Sequence, residues 1–224
     1  MLAALLLIVF AYFMGSLPFG YWIGKILKGI DIREHGSGST GATNVWRCVG
    51  KVPGALVFLG DVGKGTVPVL VAIAVDNAGG FKDLTFVYPQ LMPCVVALTA
   101  LIAHSKSIFL NFSGGKSAAT GLGTLFALNP IGGFLTFVTF VTMVFVGRIV
   151  SVASITAVAL CGVYFWFLHA PATYIGYCVV GFLYVTFRHK ANIKRLLNGT
   201  EPRIGDQKKN EVNGTLGLGE MKTQ

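Results

Sequence analysis

The sequence predicts an all-α integral membrane protein: a seven-transmembrane helix bundle with its N-terminus outside, its C-terminus cytoplasmic and one short span. Three observations lead there. Hydrophobic residues make up 54% of the chain and charged residues only 12%, where a soluble domain carries about 25% charged residues. Apolar stretches recur along the chain, most of them long enough for the roughly 20 helical residues that cross a hydrocarbon core of about 30 Å. The basic residues cluster in the connections, with a side preference that fixes orientation.

The first apolar stretch, 2–24, reads as a span. Its leading segment, 1–13, has the apolarity of a secretory signal, but it lacks a basic start and a small-residue cleavage site. A polar loop, 25–51, follows. The next stretches are 52–75 and 84–103. The segment 117–128 would make only about 18 Å of helix before Asn129-Pro130 ends it, because proline removes a donor and disfavours helix before it. Stretches 131–147, 149–168 and 172–187 complete the set. Charge decides whether 117–128 crosses. If it does, Lys25, Lys28, Arg33, Arg47, Lys51, Lys106, Lys116, Arg148 and the tail basics all face the cytoplasm. Lys82 is then the one basic loop residue outside, and Lys64 lies within a span. If it does not, Arg148 and the tail flip to the far side. The short span must therefore sit against protein or thin the bilayer. Residues 1–204 form one bundle domain, and the polar, glycine-bearing segment 205–224 is expected to be disordered.

The net charge of +9 is the positive-inside pattern rather than a nucleic-acid footprint, so no nucleic acid partner is expected. Cys48, Cys94, Cys161 and Cys178 lack metal-ligand spacing, and no metal or cofactor is expected. The anticipated contacts are membrane lipid and small phosphorylated molecules, and a monomer is compatible with the sequence.

Two small-residue runs suit phosphate. The first holds Gly36, Ser37, Gly38, Gly41, Thr43 and Asn44, followed by Arg47. Its glycines permit close backbone approach, its N–H groups can face an anion, and Arg47 carries a forked guanidinium. The second, Gly114-Gly115-Lys116, precedes a short helix whose N-terminal amides favour anions. Neither has the spacing of a nucleotide-binding P-loop. Asp61 and Lys64 stand three apart, on one helical face, as a structural pair or as a substrate contact. His104 closes a span, as an interfacial cap or a site group. Ser151 and Ser154 share a face, for substrate or for helix packing. A helix from 188 would align His189, Asn192 and Arg195.

These motifs resemble the bacterial acyl-phosphate:glycerol-3-phosphate acyltransferases, the PlsY family, over about 16–204. The resemblance rests on Gly36 to Asn44 with Arg47, on Asp61 with Lys64-Gly65, on His104 with Phe109, Phe112 and Gly114-Gly115-Lys116, and on Arg188-His189 with Asn192-Ile193 and Arg195-Leu196. The chain departs at Ser39, where the family usually has Asn, at Ala103 and Ser117, where it has Gly, and at Ser107, where it has Pro. The resemblance implies a bacterial inner-membrane enzyme with its site on the cytoplasmic side. It would move a fatty acyl group from acyl phosphate to the 1-hydroxyl of glycerol 3-phosphate. It also implies site roles for Ser37, Arg47, Lys116, Ser154, His189 and Asn192. His189 and Asn192 are expected to orient glycerol 3-phosphate or donate hydrogen bonds. The rival class is a transporter for a phosphorylated solute, against which stand the absence of an internal repeat and the grouping of polar loops on one side.

Overall fold

A computed structural model describes residues 2–81 and 88–205. Of the expected disordered tail, 205–224, all but Gly205 lies outside the described residues, as does part of the 84–103 stretch. Among the described residues the chain is helical throughout, with no strand.

The first apolar stretch is not one helix. It divides into α1 (Leu2–Ser16) and α2 (Phe19–Lys28) at Leu17-Pro18, where proline supplies no N–H and its ring disfavours helix in the preceding residue. Helix α2 buries Gly20 and Gly24 and exposes Trp22, Ile26 and Leu27. The 25–51 segment also carries more structure than a loop. A 3₁₀ turn at Ile32–Glu34 begins where the Asp31 side chain accepts from the Arg33 N–H, and α3 (Ala42–Cys48) follows.

The long helices are α4 (Lys51–Asn77), α5 (Leu91–Ser105), α6 (Ala118–Leu128), α7 (Pro130–Gly147), α8 (Val150–Phe167) and α9 (Ala172–Arg188), with α10 (Lys190–Leu197) after them. By length and apolarity five segments can cross a membrane: Leu2–Lys28, Lys51–Asn77, Leu91–Leu110, Pro130–Gly147 and Val150–Phe167. Outside those five segments, α6 has 11 residues and α9 has 17. Outward apolar side chains such as Phe134, Phe145, Val146 and Leu183 form the surface a bilayer would solvate.

Helix α6 lies inside the bundle, packed between α4 and α7. Thr120, Leu122, Thr124, Leu125 and Leu128 are buried, and its backbone is held laterally by Thr66, whose Oγ1 donates to Gly123 O at 2.9 Å. Tyr177 on α9 meets Thr124 hydroxyl to hydroxyl. Enclosure by protein is how a helix this short is accommodated. The apolar core runs through Val69, Ala72, Leu101, Leu125, Phe165 and Tyr177.

Both ends of the bundle are stitched. At one end Gln90 Nε2 donates to Asp76 Oδ2 at 3.0 Å, Tyr174 OH donates to Gln90 Oε1 at 3.2 Å, and Thr173 Oγ1 donates to Pro89 O. At the other, Lys64 Nζ donates to Leu17 O at 2.7 Å, Ser107 Oγ donates to Ser16 O at 2.6 Å, and Arg188 Nη2 donates to Gly115 O at 3.1 Å. This second end gathers the C-terminal ends of α1, α5 and α9 with the start of α6. The functional residues collect there.

Candidate active site

A cavity of about 570 Å³ opens among α3, α4, α6, α7, α8 and α10. Its polar wall includes Ser37, Arg47, Lys116, Ser154, His189 and Asn192; its apolar wall includes Phe58, Leu122, Leu125, Phe140 and Val158.

The first loop is wound around one side chain. Asn44 is 2% exposed. Its Nδ2 donates towards the carbonyls of Ile32, His35 and Ser39 at 3.1, 2.9 and 2.9 Å, and its Oδ1 accepts from Ser37 N at 2.9 Å. A side chain at Gly36 would collide with Asn44, and Gly36 has φ +60°, so glycine is required there. Asn44, itself on the cavity lining, thus turns its polar atoms to the loop backbone and holds Ser37 and Ser39 at the cavity wall.

The second loop is built against a histidine. Gly114 lies on the His104 carbonyl and Gly115 on its imidazole, with no room for a side chain at either. Neither glycine lines the cavity, and neither does Gly38, whose N–H closes a turn onto His35 O at 3.1 Å. Expected as ligand-cradling residues, these three glycines instead shape the loops behind the wall. Ser117 stands at φ +64°, a conformation unfavourable for a residue with Cβ. Its Oγ donates to Leu101 O at 2.6 Å in a buried setting, which holds the turn. Lys116 is delivered to the cavity just before it. Burial and the charges of Arg195, Arg47 and Arg188 push its ammonium down to about 8, against the opposing pull of the Glu201 carboxylate.

His189 caps the junction of α9 and α10. Its Nδ1 lies 2.7 Å from Val185 O; a ring nitrogen facing a carbonyl oxygen carries the proton, which leaves Nε2 as an acceptor. Burial pushes the imidazole down to about 4, so it is neutral. Expected either to orient glycerol 3-phosphate or to donate hydrogen bonds, His189 has Nδ1 on Val185 O and an acceptor at Nε2, which suits the first role.

Asp61, Lys64 and His104 form a buried group beneath the loops. Lys64 Nζ is 2.8 Å from Asp61 Oδ1, and His104 Nδ1 is 3.5 Å from the same oxygen. Asp61 and His104 reach the cavity lining; Lys64 does not. His104 lies beside the Asp61–Lys64 pair and backs Gly114-Gly115.

Glu201 is the site residue that sequence reading missed. It lines the cavity and accepts from Ser151 Oγ at 2.7 Å, Asn192 Nδ2 at 2.6 Å and Arg195 Nε at 2.7 Å. Burial pushes its carboxyl up, but the bonds from Asn192, Ser151 and Arg195 outweigh that and hold it below the ordinary glutamate value. No local motif signals it, since its partners come from two different helices. Among the described residues no three His, Cys, Asp or Glu side chains converge as metal ligands would.

Chemically, the cavity can hold anionic head groups against cations and hydroxyls while an attached chain lies on apolar residues. The chain resembles known proteins over most of its length. Residues 5–199 match the family profile described as Glycerol-3-phosphate acyltransferase. A glycerol-3-phosphate acyltransferase of Thermosynechococcus vestitus is 48% identical over 200 residues, covering 89% of this chain and 94% of that protein. One from Trichormus variabilis is 47% identical over 206 residues, covering 89% and 91%. The crystal structure of PlsY (YgiH), an integral membrane glycerol 3-phosphate acyltransferase, superposes in its glycerol 3-phosphate form with a TM-score of 0.82 at 36% identity, covering 92% of this chain and 98% of that one. Its lysophosphatidic acid form gives a TM-score of 0.79 at the same 36% identity, covering 91% and 96%.

Proposed function

Because this chain belongs to the glycerol-3-phosphate acyltransferase family, PlsY type, we propose that its cavity moves a fatty acyl group from acyl phosphate to the 1-hydroxyl of glycerol 3-phosphate. The products are 1-acyl-glycerol 3-phosphate, a lysophosphatidic acid, and inorganic phosphate. Acylation of glycerol 3-phosphate serves phospholipid synthesis. The observation that carries the reading is the convergence of Ser37, Arg47, Lys116, His189 and Asn192, from three separate stretches of the chain, on one cavity with an apolar wall.

Both substrates carry phosphate and one carries a long chain. Arg47 and Lys116 supply cations for the phosphates, and Ser37 and Ser154 supply hydroxyl donors. The apolar wall takes the start of the acyl chain. His189 Nε2 accepts from the attacking hydroxyl and aims it at the acyl carbon. The hydroxyl oxygen bonds to that carbon, the bond from carbon to the phosphate oxygen breaks, and the departing phosphate takes the proton. Acyl phosphate is already an activated mixed anhydride, so positioning and stabilisation of developing negative charge suffice.

A direct transfer fits better than an acyl-enzyme. A nucleophilic serine needs a base that is itself oriented by a third group. Among the described residues no serine hydroxyl bonds to His189, and the cavity carboxylate Glu201 engages Ser151, Asn192 and Arg195 instead. The arrangement of the ends supports seven crossings in alternating directions, with α6 and α9 as the two shorter ones, a cytoplasmic site and a bacterial inner-membrane setting.

The test is transfer by purified protein from acyl phosphate to labelled glycerol 3-phosphate. Labelled lysophosphatidic acid is expected, and acyl phosphate alone should leave no label on denatured enzyme. No transfer from acyl phosphate would refute the donor; a stoichiometric acyl adduct that passes to glycerol 3-phosphate would refute the direct route.

A further inference from the structure

Glu201 is out of place by charge. It sits in a cavity with Arg47, Lys116 and Arg195, where a carboxylate repels an incoming phosphate. Its side chain is 7% exposed, and its segment is pinned on both sides. Thr200 N donates to Arg195 O at 2.8 Å, and Ile204 N donates to Arg148 O at 2.8 Å. Pro202 O accepts from Arg47 Nη2 at 3.3 Å. The carboxylate is therefore held where it is by the backbone around it.

What it does there follows from its partners. An asparagine amide can turn over and exchange its donor and acceptor ends. Glu201 Oε1 takes the Nδ2 of Asn192, which fixes the amide with Oδ1 as the remaining acceptor. That Oδ1 is buried on a cavity-lining residue and has no hydrogen-bond partner in the protein, so it is an unmatched acceptor at a site meant for a polyol. Glu201 Oε2 takes the Nε of Arg195, which sets the plane of the guanidinium and leaves its terminal nitrogens.

We propose that Glu201 is a positioning residue for glycerol 3-phosphate: it locks the Asn192 amide so that Oδ1 accepts from a glycerol hydroxyl, and it fixes the Arg195 fork for the phosphate. This rests on the reading of the cavity as the acyl-transfer site. The acyl phosphate meets neither group through a hydroxyl, so the two substrates should respond differently.

The experiment is steady-state kinetics of the purified full-length protein, varying each substrate in turn. Glu201→Gln should raise KM for glycerol 3-phosphate by about tenfold or more, the scale of a lost hydrogen bond to a charged group. KM for acyl phosphate should stay near wild type. Glu201→Asp, which keeps the charge on a shorter arm, should restore part of the loss, and it carries the same comparison if the Gln variant does not fold. Glu201→Gln combined with Asn192→Ala should cost less than the sum of the two single losses, since both act through the Asn192 amide and only the Arg195 share of Glu201 is left to lose. An unchanged or lowered KM for glycerol 3-phosphate, an equal rise for both substrates, or additive effects would each overturn the proposal. A wild-type enzyme that fails to transfer from acyl phosphate refutes the site reading itself; an active wild type with a normal Glu201→Gln refutes only the role of Glu201.

Discussion

Replacing Asp61 by alanine strands a buried ammonium. The Lys64 and Asp61 side chains are 3% and 2% exposed and lie 2.8 Å apart. Removing one member of such a pair leaves an uncompensated charge, typically at a cost of 3–5 kcal/mol, whereas removing both for apolar groups of similar volume is often neutral. Lys64 keeps its bond to Leu17 O at 2.7 Å and the Phe19 ring 5.7 Å away, which places the single substitution near the lower bound, about 3 kcal/mol. At 2–4 °C per kcal/mol for a chain of this size, the midpoint should fall by roughly 6–12 °C. The assay is thermal unfolding in detergent followed by tryptophan fluorescence. Asp61→Leu with Lys64→Met should recover most of the loss. If the double variant is as unstable as Asp61→Ala, or if Asp61→Ala melts like wild type, the pair is not what holds this part of the bundle.

Lys116→Ala should abolish turnover while leaving the melting midpoint within about 1 °C, as a site cation rather than a packing group would; near-normal activity returns the residue to a lipid-anchoring role. Because the Lys116 ammonium is held at about 8, it is charged below that pH and neutral above it. Rate at low substrate should therefore fall as pH rises through about 8, a limb that a residual Lys116→Arg activity should not show. His189→Ala should lower kcat on the order of 10², the scale of a misplaced reacting group, with chelator treatment making no difference to wild type; a minor effect would remove His189 from the hydroxyl. In a Cys48→Ser background, Ala78→Cys should label from outside, and Glu34→Cys and Lys190→Cys only after permeabilisation. Labelling of Lys190→Cys in intact cells would break the seven-span arrangement.

The apolar helices were legible because a bilayer imposes length and apolarity; the orientation drawn from the basic residues belongs to the proposal. The enclosure of α6 follows from the same reasoning: a helix of 11 residues needs protein around it. The break at Leu17-Pro18 was legible in principle from proline chemistry, yet the surrounding apolarity hid it. Site residues in glycine-rich runs stood out by composition, but composition does not say which way a residue faces. Asn44 turns inward to hold its loop, and Gly114-Gly115 make room for His104 rather than for a ligand. Glu201 was invisible because its role depends on Ser151, Asn192 and Arg195 arriving together, which only the folded chain arranges.

Ser117 bears on binding as well as on shape. Where a glycine would leave the lysine loop free to sample many backbone states, the serine is tethered through its hydroxyl to Leu101. The steric penalty of a left-handed residue, about 1–2 kcal/mol, falls once, on folding. The freedom a glycine would surrender on meeting a ligand has already been given up. An anion arriving at Lys116 finds an ordered partner, and its capture carries a smaller loss of conformational entropy.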